Sequence, residues 1–277
     1  MMKQFQPLIS AVVTTHNRAG LLPRALDSVI RQSYSNLELV VVDDGSEDET
    51  REVVEKYQHK INLVYIRNRQ SLGAPRARNK GIEATGGEFI AGLDDDDEWH
   101  EDRISELMSV YSDDYSCITS DTRMVYSKGE VVWKKKKVID LSTLLFTNQV
   151  GNQVLARRER LLKVGGFDPN LSAAQDYDLW IRLCAEYGPV QNVQKPLQRI
   201  YMDHQENRIT DQSSFKGYLQ FYQKHKHRMN RKQRKYQLYN IRRAQGKQEG
   251  ISEFFNWVPS QRYFKEAKRI LADQLWK

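Results

Sequence analysis

Apolar runs of strand length recur along the first third of the chain, at Leu8–Thr14, Leu37–Val42, Leu63–Arg67 and Glu88–Leu93. Between them the apolar positions take a helical spacing. Leu21, Leu22, Leu26, Val29 and Ile30 mark a helix within Ala19–Gln32, and a second opens at a Ser46–Glu49 capping box and runs to Tyr57. A third covers Ala74–Ala84, entered through Gly73-Ala74-Pro75 with proline in the first turn. The β-α-β-α-β-α-β alternation predicts an α/β, Rossmann-like fold: a mostly parallel central sheet with helices on both faces.

The pattern changes after residue 115. Ser116–Tyr126 and Val131–Ile139 read as a hairpin through Ser127, Lys128 and Gly129. Leu141–Phe146 and Arg158–Val164 read as short helices, and Tyr177–Tyr187 as a longer one closed by Gly188 and Pro189. Beyond residue 210 the chain is polar, basic and aromatic, with helices expected at 212–245 and 259–275. In a chain of 277 residues this gives a main domain over 1–210, divided into 1–115 and 116–210, and a basic helical C-terminal extension over 211–277.

Charge adds a second asymmetry. The net charge is +7, but the acids sit mostly before residue 115, whereas Lys134–Lys137 and residues 224–243 are strongly basic. An anionic membrane face and nucleic acid both suit such a segment, and a solvated helix face is the plain alternative. No run approaches the roughly 20 apolar residues of a membrane span, and the start lacks a signal core. Cys117 and Cys184 form no CxxC pair, so neither a disulfide framework nor a thiolate metal site is expected. The expected setting is cytoplasmic, with peripheral contact at the inner face of the plasma membrane.

Polar residues follow every strand: Thr15, His16 and Asn17, then Asp43 and Asp44, then Asn68 and Arg69, then Asp94–Asp97. A doubly wound sheet brings all of these to one edge, where ligands bind. The first βα turn, THNRAG, has no G-x-G-x-x-G, and no P-loop is present, so a glycine nest is not available for phosphates. Carboxylates holding a cation are the other way to manage such charge. Ordinary alternatives exist: Asp-Gly-Ser is turn chemistry, and Asp95 and Asp97 would suit the N-terminus of a following helix. On α-helical spacing Arg76 and Asn79 share a face toward the strand edge, while Arg78 points away into a surface ion pair.

The segments VVTTHNR, VVVDDGSEDET, GAPRARNKGIEATGGEFIAGLDDDDEW and AQDYDLWIRL, in this order over residues 8–205, resemble the family 2 glycosyltransferases of the GT-A fold. The resemblance implies inverting transfer of a sugar from a UDP-sugar donor, assisted by Mn²⁺ or Mg²⁺, to a hydroxyl of a glycan or lipid-linked acceptor in surface polysaccharide biosynthesis. The 1–115 half would then bind the nucleotide-sugar and the 116–210 half the acceptor.

Carried over by motif, Thr15 and Asn17 border the base and ribose, and Asp44 lies at the nucleoside with Asp43 beside it. Arg76 and Asn79 approach the diphosphate, Asp94 the ribose, with Asp95 in the same donor set. Asp96 holds the metal, and His204 is a further candidate metal ligand. Asp176 is the expected general base, in a motif where Gln175 replaces the family's glutamate; Asp178 faces away from it. Gly165, Gly166 and Phe167 form the acceptor-side loop, and Trp99 and Trp180 either stack on sugars or sit in the core. Two other readings compete: a nucleotidyltransferase using a nucleoside triphosphate, and a non-enzymatic module that binds nucleic acid through the basic C-terminal segment. Nucleic acid is not the expected partner of the leading reading.

Overall fold

The computed structural model describes residues 6–202, 214–245, 251–264 and 266–267. The chain divides into two units. The first comprises Met1–Leu141, Gln149–Pro169 and Gln175–His204; the second comprises Ser142–Asn148, Asn170–Ala174 and Gln205–Lys277.

In the first unit the alternation takes shape as β1 (Ile9–Thr15), α1 (Leu22–Ile30), β2 (Leu37–Asp43), α2 (Thr50–Glu55), β3 (Asn62–Arg67), α3 (Ala74–Ala84) and β4 (Phe89–Asp94). It continues through β5 (Glu98–Trp99), α4 (Arg103–Ser109), β6 (Ile118–Tyr126), β7 (Gly129–Trp133) and β8 (Val138–Ile139). After α5 (Leu141–Leu144), most of which belongs to the second unit, come β9 (Leu155–Arg157), α6 (Arg158–Lys163), α7 (Gln175–Tyr187) and β10 (Val190–Tyr201). The strands lie in the order β3-β2-β1-β4-β9-β6-β10-β5, with β7 on β6 and β8 on β10. The long pairings β3-β2-β1-β4 and β6-β10 are parallel, and the antiparallel ones are shorter.

Alternation along β1 shows why helices cover both faces. Ala11 and Val13, fully buried, join a core with Leu22, Leu26 and Val29 of α1 and Val54 of α2. Val12 points the other way, where a Cβ on Gly81 of α3 would lie 2.6 Å from its Cγ1. Side chains of a strand alternate between faces, so one strand supplies both layers. The close approach of α3 to the sheet also fixes the height of that helix over the strand ends.

Several boundaries differ from the sequence reading, each for a local reason. Helix α1 starts at Leu22 rather than Ala19, because residues 18–21 turn on the Arg18 carbonyl, which accepts from the amides of Leu21 and Leu22. The Ser46 capping box does not form. The Ser46 hydroxyl accepts from the Asn17 amide at 2.9 Å and its own amide donates to Asp43 Oδ1 at 2.8 Å, so Ser46 ties loops together and α2 begins at Thr50. Strand β7 stops at Trp133, and Val138–Ile139 pairs with β10 instead. The four aspartates precede no helix: β5 follows them and α4 starts at Arg103, which removes the helix-terminus explanation for Asp95 and Asp97.

In the second unit, α8 (Ser214–His225) and α9 (Arg231–Ala244) replace one expected long helix. The break has a cause in Asn230, whose side chain caps the Gln233 amide at 2.9 Å while Gln233 returns the bond at 2.8 Å. The sequence reading did not foresee α10 (Ile251–Trp257), and most of the helix expected at 259–275 lies outside the described residues. Among the described residues Tyr236, Tyr239 and Val258 form a core cluster of this unit, with Phe146, Phe254, Trp257 and Tyr263 packed on it.

The tight α3 contact gives a test. Gly81→Val is expected to lower the unfolding free energy by about 1–3 kcal/mol, the usual cost of overpacking, as measured by urea denaturation.

Candidate active site

The strand ends meet in register. Thr14 of β1 lies opposite Asp94 of β4, Thr15 opposite Asp43 of β2, and Asp43 opposite Arg67 of β3. Because β2 and β4 flank β1 on opposite sides, the connections diverge between β1 and β4, and that is where a crevice opens in such sheets.

The acids after β2 are spent within the fold. Fully buried Asp43 accepts from the Tyr65 hydroxyl at 2.7 Å and from the Ser46 amide, and Arg67 Nε lies 3.4 Å away. Asp44 accepts from Asn68 Nδ2 (2.7 Å), Ser71 Oγ (2.8 Å), the Leu72 amide (2.9 Å) and the Gly73 amide (2.8 Å), so one carboxylate organises the loop that leads into α3. Burial pushes its pKa up, but the bonds from Leu72, Asn68, Ser71 and Gly73 outweigh that and hold it below the ordinary value. Asn17 adopts φ 54°, a left-handed conformation that asparagine tolerates, and its Oδ1 accepts from the Glu47 amide at 2.7 Å. The Thr15 hydroxyl is buried within electrostatic reach of Asp95 but makes no hydrogen bond of standard geometry.

The acids after β4 form a tight turn, closed by the Asp97 amide on the Asp94 carbonyl at 3.1 Å. Their repulsion is met from three directions. Arg18 Nη1 reaches Asp95 Oδ1 at 2.9 Å and Asp96 Oδ2 at 3.0 Å, Arg78 Nη2 reaches Asp94 Oδ1 at 2.8 Å, and Arg24 donates to the Asp96 carbonyl. Asn152 Nδ2 donates to Asp94 Oδ2 at 2.6 Å, and Gln153 Nε2 to Asp97 Oδ2 at 2.7 Å. Asp95 and Asp97 are buried, whereas Asp94 and Asp96 remain about one-quarter exposed, at 26% and 23%. Burial pushes Asp95 up to about 6 despite Arg18, and burial beside Asp94 and Asp96 pushes Asp97 well above its ordinary value. The open pair is therefore Asp94 and Asp96, alternate residues of the turn.

Helix α3 reverses the roles expected for its arginines. Arg76 is exposed and bonds the Leu72 carbonyl at 3.3 Å, away from the carboxylates, while Arg78 turns inward to Asp94 and stacks over Phe167 at 5.4 Å. The reason lies in the buried stripe of Pro75, Ala77, Gly81 and Ile82: Arg78 is three residues after Pro75 and four before Ile82, on the face toward the sheet. Asn79 pins the loop of Gly165, Gly166 and Phe167, donating to the Phe167 carbonyl at 2.8 Å and accepting from its amide at 2.7 Å. Gly166, at φ +63°, has no room for a Cβ against the Asn79 amide.

Asp176 lies in the first turn of α7, and burial pushes its pKa up; Arg78 opposes that shift and Asp94 adds to it. Arg78 in turn feels Asp94, Asp176 and Asp95. The acids after β4 and Asp176 thus share one guanidinium. Asp178 is fully buried and paired with Arg182 at 2.7 Å, and Arg182 also bonds the carbonyls of Val164 (2.5 Å) and Gly166 (2.6 Å). Trp99 and Trp180, both 2% exposed, are core residues bonded to Gln153 Oε1 and the Gly151 carbonyl.

Sequence reasoning missed Arg18, Asn152 and Gln153. Arg18 was marked only by its place in the strand-end run THNR; the other two lie in a segment without periodicity or motif. As a metal site the turn offers hard oxygens, the right donors for Mg²⁺ or Mn²⁺, and Asp96 spends one oxygen on Arg18 and keeps the other. Among the described residues no group of three or more His, Cys, Asp or Glu side chains is placed to hold an ion. His204 lies outside the described residues.

A sequence model of glycosyl transferase family 2 matches residues 10–175. WcaA of Escherichia coli K12, whose name assigns it to colanic acid biosynthesis as a glycosyl transferase, is 36% identical over 256 residues, covering 87% of this chain and 89% of that protein. Among solved structures, residues 1–349 of S. aureus TarS in complex with UDP-GlcNAc align with TM-score 0.68 at 17% identity, over 92% of this chain and 75% of that one. The larger TarS structure is covered to 46%. The mannosyltransferase PcManGT of Pyrobaculum calidifontis, in complex with GDP-Man and Mn²⁺, aligns with TM-score 0.60 at 17% identity, over 90% of this chain and 67% of that one. At such identities the likeness is one of fold, and it bears out the GT-A architecture.

Two outcomes follow from the site's electrostatics. A carboxyl-resolved NMR titration should show Asp95 with a midpoint of about 6, moving higher in Arg18→Ala as the opposing cation is lost. For Asp44, whose folded pKa is depressed, the stabilisation is present above its unfolded pKa and lost as pH falls through the folded one. Asp44→Ala should therefore cost more than about 2 kcal/mol at pH 7, by leaving several donors unpaired, and less in strong acid, as read by chemical denaturation.

Proposed function

Because the chain belongs to glycosyl transferase family 2, we propose that it is an inverting, metal-assisted transferase. It moves a sugar from a UDP-sugar to a hydroxyl of a glycan or lipid-linked acceptor in surface polysaccharide synthesis. The observation that carries this reading is the convergence of Asp94 and Asp176 on Arg78, which puts an acid at the open turn after β4, suited to a diphosphate, and a half-buried carboxylate suited to a base in one electrostatic field. UDP-GlcNAc in TarS supports the donor class, and the name of WcaA supports the pathway class.

In this mechanism the nucleoside lies over the ends of β1 and β2, framed by Thr15, Asn17 and the loops that Asp43 and Asp44 hold. Asp94 and Asp96 face the diphosphate end, where a divalent cation at Asp96 would neutralise charge on the departing UDP. Asp176 takes the proton from the acceptor hydroxyl; its burial and the nearby Asp94 raise its proton affinity, which suits a base. The acceptor oxygen forms its bond to the anomeric carbon on the face opposite UDP while the carbon–oxygen bond to UDP breaks, so the configuration inverts. Asn79 and Arg182 position the 164–167 segment on the acceptor side.

Calorimetric titration of UDP with and without Mn²⁺, on the parent and on Asp96→Asn, tests the donor site. Metal-dependent binding should weaken at least about tenfold in Asp96→Asn, whereas tighter binding of GDP than UDP would reassign the donor. In a transfer assay Asp176→Asn should lose about 10²–10⁴-fold in rate and keep UDP affinity.

A further inference from the structure

Residues 214–245 contain five lysines and five arginines and no aspartate or glutamate. On α9 the positions Arg231, Lys235, Leu238 and Arg242 recur at the spacing of one helical stripe, turned away from buried Gln233, Tyr236, Gln237 and Ile241. The end of α10 lies along this stripe: Lys235 Nζ is 3.3 Å from the Asn256 carbonyl, and the Arg242 guanidinium sits 5.4 Å over Trp257. From the same place Phe255 projects with 55% exposure, its ring 4.9 Å from that of Tyr263, and the next residue, Phe264, is 75% exposed. Glu266, 2% exposed and bonded to Tyr236, lies 3.9 Å from Arg243, a residue of α9 that is off this stripe.

We propose that the face formed by Phe255 and Phe264 with Lys235, Arg231 and Arg242 docks on an anionic lipid bilayer. Cations alone would suit any polyanion. Two exposed phenylalanines, Phe255 and the residue that follows its ring partner Tyr263, point to a partner with an apolar layer beneath its negative surface, the combination that interfacial segments meet. No described helix is long and apolar enough to cross a membrane, so the attachment lies in the plane of the interface.

Co-sedimentation of the full chain with phosphatidylcholine vesicles, with and without about a third of phosphatidylglycerol, tests this. The expected result is binding to the anionic vesicles that weakens with salt, and weak binding to neutral ones. The double variant Phe255→Ser/Phe264→Ser should bind about tenfold less, as should Lys235→Glu/Arg242→Glu. Phe264→Ser alone, at a position mostly in solvent, keeps the test valid if the double variant misfolds, with circular dichroism as the folding check. Equal binding to neutral and anionic vesicles, or undiminished binding of a correctly folded phenylalanine variant, would overturn the proposal. So would displacement from vesicles by an oligonucleotide that binds the parent and phenylalanine variants alike, a result that would assign the face to nucleic acid. UDP titration of the same variants should match the parent, which keeps failure of lipid docking separate from failure of the transferase reading.

Discussion

Mutual repulsion among the carboxylates at the end of β4 is the constraint around which the first unit is arranged. Four consecutive acids in a turn are tolerable only if cations and donors reach them, and none of those partners is local. Arg18 comes from the β1–α1 loop, Arg78 from α3, and Asn152 and Gln153 from the segment before β9. Each must arrive at the right height over the sheet. The tight seat of Gly81 on Val12 supplies that for α3, and the parallel register of β1 with β4 supplies it for Arg18.

The two acid pairs at the strand edge therefore do different work. Asp43 and Asp44 are saturated by donors from their own surroundings, and what they do in the fold is hold the loops that follow β2 and β3. Asp94 and Asp96 keep a quarter of their surface open and are balanced by arginines that are themselves a quarter exposed, partners that a cation or a phosphate could rearrange. A carboxylate already enclosed by amides gives up much more to change partners than one facing a guanidinium near solvent.

The alternation of periods 2 and 3.6 made the doubly wound half legible, because each element there buries a face that its own pattern declares. The strand-end polar groups were legible for the same reason: once strands are parallel, their ends coincide. What escaped was decided by tertiary contacts. Ser46 has a capping spacing, yet Asn17 and Asp43 claim its hydroxyl and amide. Arg78 was read from its separation from Arg76 instead of from its place on the Pro75–Ile82 stripe, which was available in the sequence. Asn152 and Gln153 carry no local signal, since an amide in a loop acquires meaning only from the carboxylate it meets.

Helix α7 carries the candidate base and, on the same rigid rod, the Asp178–Arg182 pair that grips the carbonyls of Val164 and Gly166. Each residue added or removed in a helix rotates everything beyond it by about 100°. An insertion or deletion between Asp176 and Arg182 would swing the base away from Arg78 or release the loop, even with every side chain retained. What lineages of this chain must inherit here is a count: the number of residues between base and anchor is as strict a requirement as their chemistry, and length variation should be absent from this helix while it accumulates in loops.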